Sequence, residues 1–212
     1  MVENGSGGAT NPALTGHKKI INLPLTDENV LSLKTGDIVS LNGTIVTGRD
    51  MVHKYLVQKK PRKEDIPFDL AGAVLYHCGP VMQKTAEGYK AVAAGPTTSM
   101  RVELYEAALI REYGIRGIIG KGGMGAGTLE ALKETGSIYF QTVGGAAVYL
   151  ADRIKKTLDV WKLEEFGPTE AMWLFEIEDF PAIVTMDSHG NNIHSEIEKH
   201  SFEIFSELIR SK

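Results

Sequence analysis

Apolar residues fall into short continuous runs and helix-spaced stripes that alternate along most of the chain. Residues 19–25 form a β-prone run, and Thr26-Asp27-Glu28 opens a short helix with Thr26 or Asp27 as N-cap. Within 37–46, two apolar runs flank Asn42-Gly43, a dipeptide that accepts the positive φ angles of a tight turn, so a hairpin is predicted. A helix is expected over 51–58, then a charged, proline-containing loop over 59–69. Strands are predicted at 73–77, 90–94, 116–119, 138–142, 173–177 and 182–186. Helices are predicted at 102–113, 129–135, 146–156 and 197–209, the last with Ile197, Ile204, Phe205 and Leu208 at helical spacing. Interleaved strands and helices with no internal repeat or linker after residue 20 predict a single mixed α/β domain.

Composition narrows the function classes. At 212 residues, 42% hydrophobic and 24% charged, the chain can bury a real core and reads as soluble and globular. A formal charge of -4 offers no basic footprint for nucleic acid. No run approaches the roughly 20 apolar residues that span a bilayer. Residues 1–19 lack a basic segment followed by an apolar one and are rich in Gly, Ser and Asn, so they read as a flexible leader. The single cysteine, Cys78, excludes an internal disulfide and a cluster held by three or four thiolates of this chain. A reducing cytoplasm is the expected compartment.

The most informative stretch is Gly95-Pro96-Thr97-Thr98-Ser99-Met100-Arg101, between a predicted strand and a predicted helix. Amide donors at a helix start, three hydroxyls and a guanidinium suit a carboxylate or phosphate. Plain N-capping by Thr or Ser explains the same residues and, on residue chemistry alone, is favoured. Gly120-Lys121-Gly122-Gly123-Met124-Gly125 matches the G-x-G-x-x-G nucleotide pattern, but the strand that follows carries Gln141 where an acid should hold a ribose. The loop is therefore read as bringing Lys121 and backbone amides to a small anion. Gly48-Arg49-Asp50 places Arg49 at a strand-to-helix corner, where it is either solvated or shares a dicarboxylate pocket with Arg101 and Lys121. The segment 187–192, with His194 and His200 nearby, matches no standard metal spacing and reads as a turn. Cys78 reads as an inert buried thiol.

Taken in order, TGRDMVHKYL (47–56), LYHCGPVM (75–82), AGPTTSMR (94–101), GIIGKGGMG (117–125), FQTVGGAA (140–147), EDFPAIV (178–184) and MDSHGNN (186–192) resemble the β subunit, or C-terminal domain, of class I fumarases and L-tartrate dehydratases. The landmarks cover nearly everything from residue 20 to 195. The resemblance implies a swivelling β/β/α domain over 20–212 that closes on a site shared with an α subunit carrying a 4Fe-4S cluster. It implies a hydro-lyase interconverting fumarate and L-malate, with L(+)-tartrate dehydration to oxaloacetate as the alternative substrate reading. By the same resemblance Thr97 is the catalytic base, and Arg49, Thr98, Arg101 and Lys121 hold the substrate carboxylates. No metal ligand is expected from this chain, and a homodimer or an α2β2 assembly is expected. A small-dicarboxylate-binding module is the non-enzymatic alternative; a nicotinamide-dependent oxidoreductase would need the acid missing after Phe140.

Overall fold

A computed structural model describes residues 18–210, so the expected leader lies outside the described residues except for Lys18 and Lys19. In chain order the elements are β1 (Lys19–Asn22), α1 (Asp27–Ser32), β2 (Ile38–Gly48), α2 (Asp50–Lys59), β3 (Val74–His77), β4 (Val81–Thr85), β5 (Gly88–Ala93) and α3 (Glu103–Tyr113). Then come β6 (Gly117–Gly120), α4 (Ala126–Thr135), β7 (Ile138–Gln141), α5 (Ala147–Asp152), β8 (Ile154–Trp161), α6 (Leu163–Phe166), β9 (Met172–Met186) and α7 (Ile193–Arg210). Strands β2, β3, β6 and β7 run parallel. The long β9 pairs antiparallel with both β7 and β2 and so closes the sheet on itself. β1 and β8 extend it, and β4 with β5 forms a separate hairpin. The mixed α/β domain expected from the sequence is what forms. Among the described residues, no helix is long and apolar enough to cross a membrane.

The strand runs are short and apolar because both sheet faces are covered. Val74 and Tyr76 point into the closed sheet with Ile119, Phe140, Trp173 and Phe175, while Leu75, Ile118 and Tyr139 face outward under the helices. Trp173 and Phe175 stack inside with centroids 6.2 Å apart. Thr26 caps α1 as expected, its hydroxyl accepting from Asn29 N–H at 3.1 Å.

Three expectations fail. Asn42-Gly43 makes no hairpin: β2 runs straight through it, and Glu178 and Asp179 of β9 bulge opposite Asn42. The positive φ of Gly43 serves a close approach instead, since a Cβ there would sit 2.8 Å from the Leu23 carbonyl. The helix expected over 146–156 stops at Asp152, and Ile154–Trp161 pairs with β9 as β8. Leu150 and Ile154 fit a helical spacing, but Ile154 and Val160 pack on the inner core from a strand. The two strands expected at 173–177 and 182–186 are one, continuous through Pro181, which stands opposite Ser40.

Candidate active site

The carboxyl ends of β2, β3 and β6 lie side by side, and the segment after each contributes to one face, the usual place for a ligand on parallel strands. Arg49 follows β2 directly and stands at the N-cap of α2. The Thr97 N–H donates to the His77 carbonyl at the end of β3 (2.8 Å). Thr98 forms a parallel bridge with Lys121, which follows β6, and Ser99 N–H donates to the Lys121 carbonyl at 3.1 Å. Arg101 Nη2 lies 2.5 Å from Asp50 Oδ2, and Arg49 Nε lies 3.6 Å from the same oxygen. All five expected residues therefore meet around the joined ends of three strands.

Arg49 and Arg101 are ion-paired with Asp50, while the side chains of Thr97, Thr98 and Lys121 make no hydrogen bond among the described residues. Thr98 stands at the N-cap of a short 3-10 turn, Ser99–Val102, without making a side-chain cap bond, so plain N-capping does not explain it. Thr97 is half-buried and Thr98 exposed. Arg49 Nε is buried without a hydrogen-bond partner among the described residues, although Glu170 Oε1 lies 3.3 Å away. The Lys121 stem passes Gly144, where a Cβ would be 3.5 Å from Lys121 Cδ. The face is open, and Met100, Leu104 and Val143 beside it are exposed large apolar side chains. The cleft of about 470 Å³ between the β4–β5 hairpin and β8 contains none of the five.

The glycine loop after β6 does not offer its helix N-terminus to a phosphate. Glu103 already occupies it, accepting from Gly125 N–H (2.8 Å), Thr128 N–H (3.2 Å) and the Thr128 hydroxyl (2.7 Å). With Gln141 where an acid is wanted, the nucleotide reading loses both of its anchors. The 187–192 segment is the expected turn: Asp187 Oδ1 accepts from the N–H groups of His189 and Asn191, each at 3.0 Å. His194, which sequence reasoning left unassigned, lies against the loop instead, where a Cβ on Gly123 would be 2.2 Å from its ring.

Beneath the face runs a buried polar network that sequence reasoning missed. His53 Nε2 and His77 Nε2 each lie 3.0 Å from Glu106 Oε2, and all three residues are wholly buried. His77 Nδ1 lies 2.9 Å from Ser99 Oγ, which is 2.8 Å from the Tyr139 hydroxyl. The only sequence signal was Glu106 itself, an acid on the α3 stripe otherwise formed by Val102, Leu109, Ile110 and Tyr113. His53, His77 and Glu106 are also the group among the described residues whose ligand atoms could converge on a metal ion; both Nε2 atoms and Glu106 Oε2 are engaged in hydrogen bonds, while Glu106 Oε1 is buried without a partner. Cys78 is buried and its thiol is pushed up by burial to about 12, so it offers no thiolate to a cluster.

Burial pushes the Glu106 carboxyl up, but His77 and His53 outweigh it and bring it from 4.5 down to about 2. Burial holds His77 below its ordinary 6.5 despite the pull of Glu106. As pH falls below 6.5 the unfolded chain therefore protonates His77 more readily than the folded one, and below 4.5 the same holds for Glu106. Both effects make stability fall on acidification, with Glu106 contributing on the order of 3 kcal/mol that is present above its ordinary value and lost as pH drops towards its depressed one. Urea unfolding at successive acidic pH values should show this decline, and Glu106→Gln should flatten its lower part; an unchanged slope in the variant would contradict the assignment.

The family model described as Fumarase C-terminus matches residues 8–197. A Geobacillus stearothermophilus protein provisionally named a class I fumarate hydratase is 50% identical over 194 residues, covering 90% of this chain. The chain spans only 37% of that relative's length. A Methanocaldococcus jannaschii protein provisionally named an L(+)-tartrate dehydratase subunit beta is 42% identical over 186 residues, 87% of this chain and 95% of the relative. The L(+)-tartrate dehydratase subunit beta of Escherichia coli is 36% identical over 184 residues, 86% of this chain and 89% of the relative.

Proposed function

The chain belongs to the Fumarase C-terminus family, and from that premise we propose that it is the β subunit of a cytoplasmic iron–sulfur hydro-lyase that interconverts fumarate and L-malate. The observation that carries the reading is the convergence of Arg49, Thr97, Thr98, Arg101 and Lys121 on one open face. Two carboxylates of a C4 acid need at least two cationic anchors, and charge-assisted hydrogen bonds contribute about 1.5–3 kcal/mol each. Arg49, Arg101 and Lys121 supply them, with Thr98 donating a hydroxyl. Thr97 removes the proton from the carbon beside a carboxylate. The charge that then builds on that carboxylate is met by the fixed cations, whose field is strongest where it develops. A threonine hydroxyl is a poor base at neutral pH. The same field is what allows Thr97 to release its own proton to solvent and act as the alkoxide, which becomes the neutral hydroxyl again on taking the proton from carbon.

With Cys78 as its one cysteine, and that one buried, this chain cannot hold a cluster through three or four thiolates of its own. The 4Fe-4S cluster belongs to a separate α subunit, and departure of the hydroxyl is that subunit's share of the reaction. The openness of the face and the exposed Met100, Leu104 and Val143 around it support a site completed by such a partner, in a domain that swivels onto it. L(+)-tartrate is the second reading, supported by the two β subunits whose length this chain nearly matches.

Anaerobic co-expression with the candidate α subunit, supplied with iron and sulfide, tests the proposal against malate and L-tartrate in parallel. Malate dehydration lost on exposure to oxygen is expected. Tartrate turnover instead would change the substrate and keep the mechanism, and inactivity of a cluster-loaded complex on both acids would refute the reaction.

A further inference from the structure

The buried network under the face can be read proton by proton. Ser99 Oγ has three neighbours: the Lys121 N–H at 3.3 Å, the Tyr139 hydroxyl at 2.8 Å and His77 Nδ1 at 2.9 Å. A hydroxyl has one proton and two lone pairs. The Lys121 amide can only donate. Burial pushes the Tyr139 phenol up, so it keeps its proton, and Ser99 Oγ is the hydrogen-bond partner of its hydroxyl. Tyr139 therefore donates to Ser99, both Ser99 lone pairs are filled, and the Ser99 proton goes to His77 Nδ1. That fixes His77 as the neutral tautomer with its proton on Nε2, donating to Glu106 Oε2. Its burial favours the neutral ring as well.

His53 admits no neutral solution of that kind. Its Nδ1 lies 2.7 Å from the Arg49 carbonyl oxygen, which can only accept, so Nδ1 carries a proton. Its Nε2 lies 3.0 Å from the same Glu106 Oε2 that His77 already faces. A neutral His53 protonated on Nδ1 would set a bare nitrogen lone pair against a carboxylate oxygen, both buried. One more proton is required between them, and because the Glu106 carboxyl is held well below its ordinary value it rests on His53 Nε2. The groups facing His53 are Glu106 from α3, His77 from β3 and Arg49 at the β2–α2 corner, with Tyr139 of β7 behind Ser99.

We propose that His53, Glu106 and His77 form a positioning network that holds one proton beyond two neutral rings and a carboxylate, with His53 as imidazolium, and that this network fixes the anion-binding face. Every branch ends on that face. His53 holds the Arg49 carbonyl, and the His77–Ser99 branch, into which Tyr139 donates, holds the Lys121 amide. The three histidine and glutamate side chains touch no substrate position themselves; they act through Arg49, Ser99 and Lys121. A charge-neutral ion pair with ordered donors is suited to this, because a misdirected donor in a dry site has no water to correct it.

Ring-nitrogen NMR of the histidine-labelled full chain at neutral pH tests the proton count. His53 is expected with both nitrogens protonated and His77 with a bare Nδ1 and a protonated Nε2. A bare nitrogen on His53, or a stoichiometric divalent ion in the purified chain that leaves both Nε2 atoms unprotonated, would overturn the proposal. Glu106→Gln is expected to return His53 to a neutral ring with its proton on Nδ1. Should that variant not fold, Ser99→Ala removes the donor to His77 Nδ1 without touching the pair and should leave the His53 signature intact; loss of that signature would count against the assignment. The functional half rests on the reading as a dicarboxylate hydro-lyase. In the assembled enzyme, Ser99→Ala should lower kcat/KM for malate at least about tenfold, since misplaced reacting groups are costly to rate. Full activity of Ser99→Ala would refute the positioning role, whereas a confirmed proton count with an inactive wild-type complex would refute only the reaction.

Discussion

Thr97→Ala, assembled with its α subunit, should lower kcat for malate dehydration by about 10²–10⁴-fold, the range that a positioned general base contributes. It should do so without loss of stability. The Thr97 backbone N–H holds the end of β3 through the His77 carbonyl, and alanine keeps that bond. No hydrogen bond from the Thr97 hydroxyl is seen among the described residues, so removing it leaves no buried partner unsatisfied. Thr97→Ser keeps the hydroxyl and should retain measurable turnover. Steady-state kinetics with parallel thermal melts separate the outcomes. Normal kcat in Thr97→Ala removes this residue as the base, while a lower Tm with proportionate loss of activity would make it a structural residue of the loop.

The parts of the site that were legible in the sequence are those whose residues lie close together in the chain. Gly95–Arg101 and Gly120–Gly125 each carry their chemistry within seven residues, and each follows a strand whose apolar run is readable. Arg49 was visible at a strand-to-helix corner between a glycine and an acid, but only the family resemblance distinguished it from a solvated arginine. The buried network was not legible, because its members come from α2, β3, α3, the Ser99 turn and β7, and meet only when the sheet closes. Glu106 alone gave a hint, as a charged side chain at an apolar stripe position that only a buried partner could tolerate. The fold misreadings share a cause. Asn42-Gly43 has the local chemistry of a turn, and Ile154 has helical spacing from Leu150, but long-range pairing with β9 overrode both. β9 looked like two strands because Asp179, with φ of 52°, and Pro181 interrupt its middle. The interruption is accommodated by the bulge: Asn42 Oδ1 accepts the Asp179 N–H at 2.9 Å, and Ser40 donates to the Asp179 carboxylate at 3.0 Å.

Gly120→Ala should be the most damaging single methyl on this face. A Cβ at Gly120 would lie 1.9 Å from Ser99 Oγ and 2.7 Å from the Tyr139 hydroxyl. A flexible side chain could move aside, but Ser99 Oγ is the junction of the buried network and is held by His77, Tyr139 and the Lys121 amide. Turning it away leaves His77 Nδ1 and the Tyr139 proton buried without partners. Overpacking typically costs about 1–3 kcal/mol and a buried unsatisfied polar group a further 1–3, so a loss of roughly 3–5 kcal/mol is expected. For a chain of this size that lowers Tm by on the order of 10 °C. A double-mutant cycle identifies the obstacle. Ser99→Ala removes the oxygen that the new methyl would strike, so Gly120→Ala/Ser99→Ala should be less destabilised than the sum of the two single variants. Strict additivity would mean that Ser99 is not what excludes a side chain at Gly120. The double variant should regain stability without regaining activity, because the methyl then fills the space from which Ser99 held the Lys121 amide.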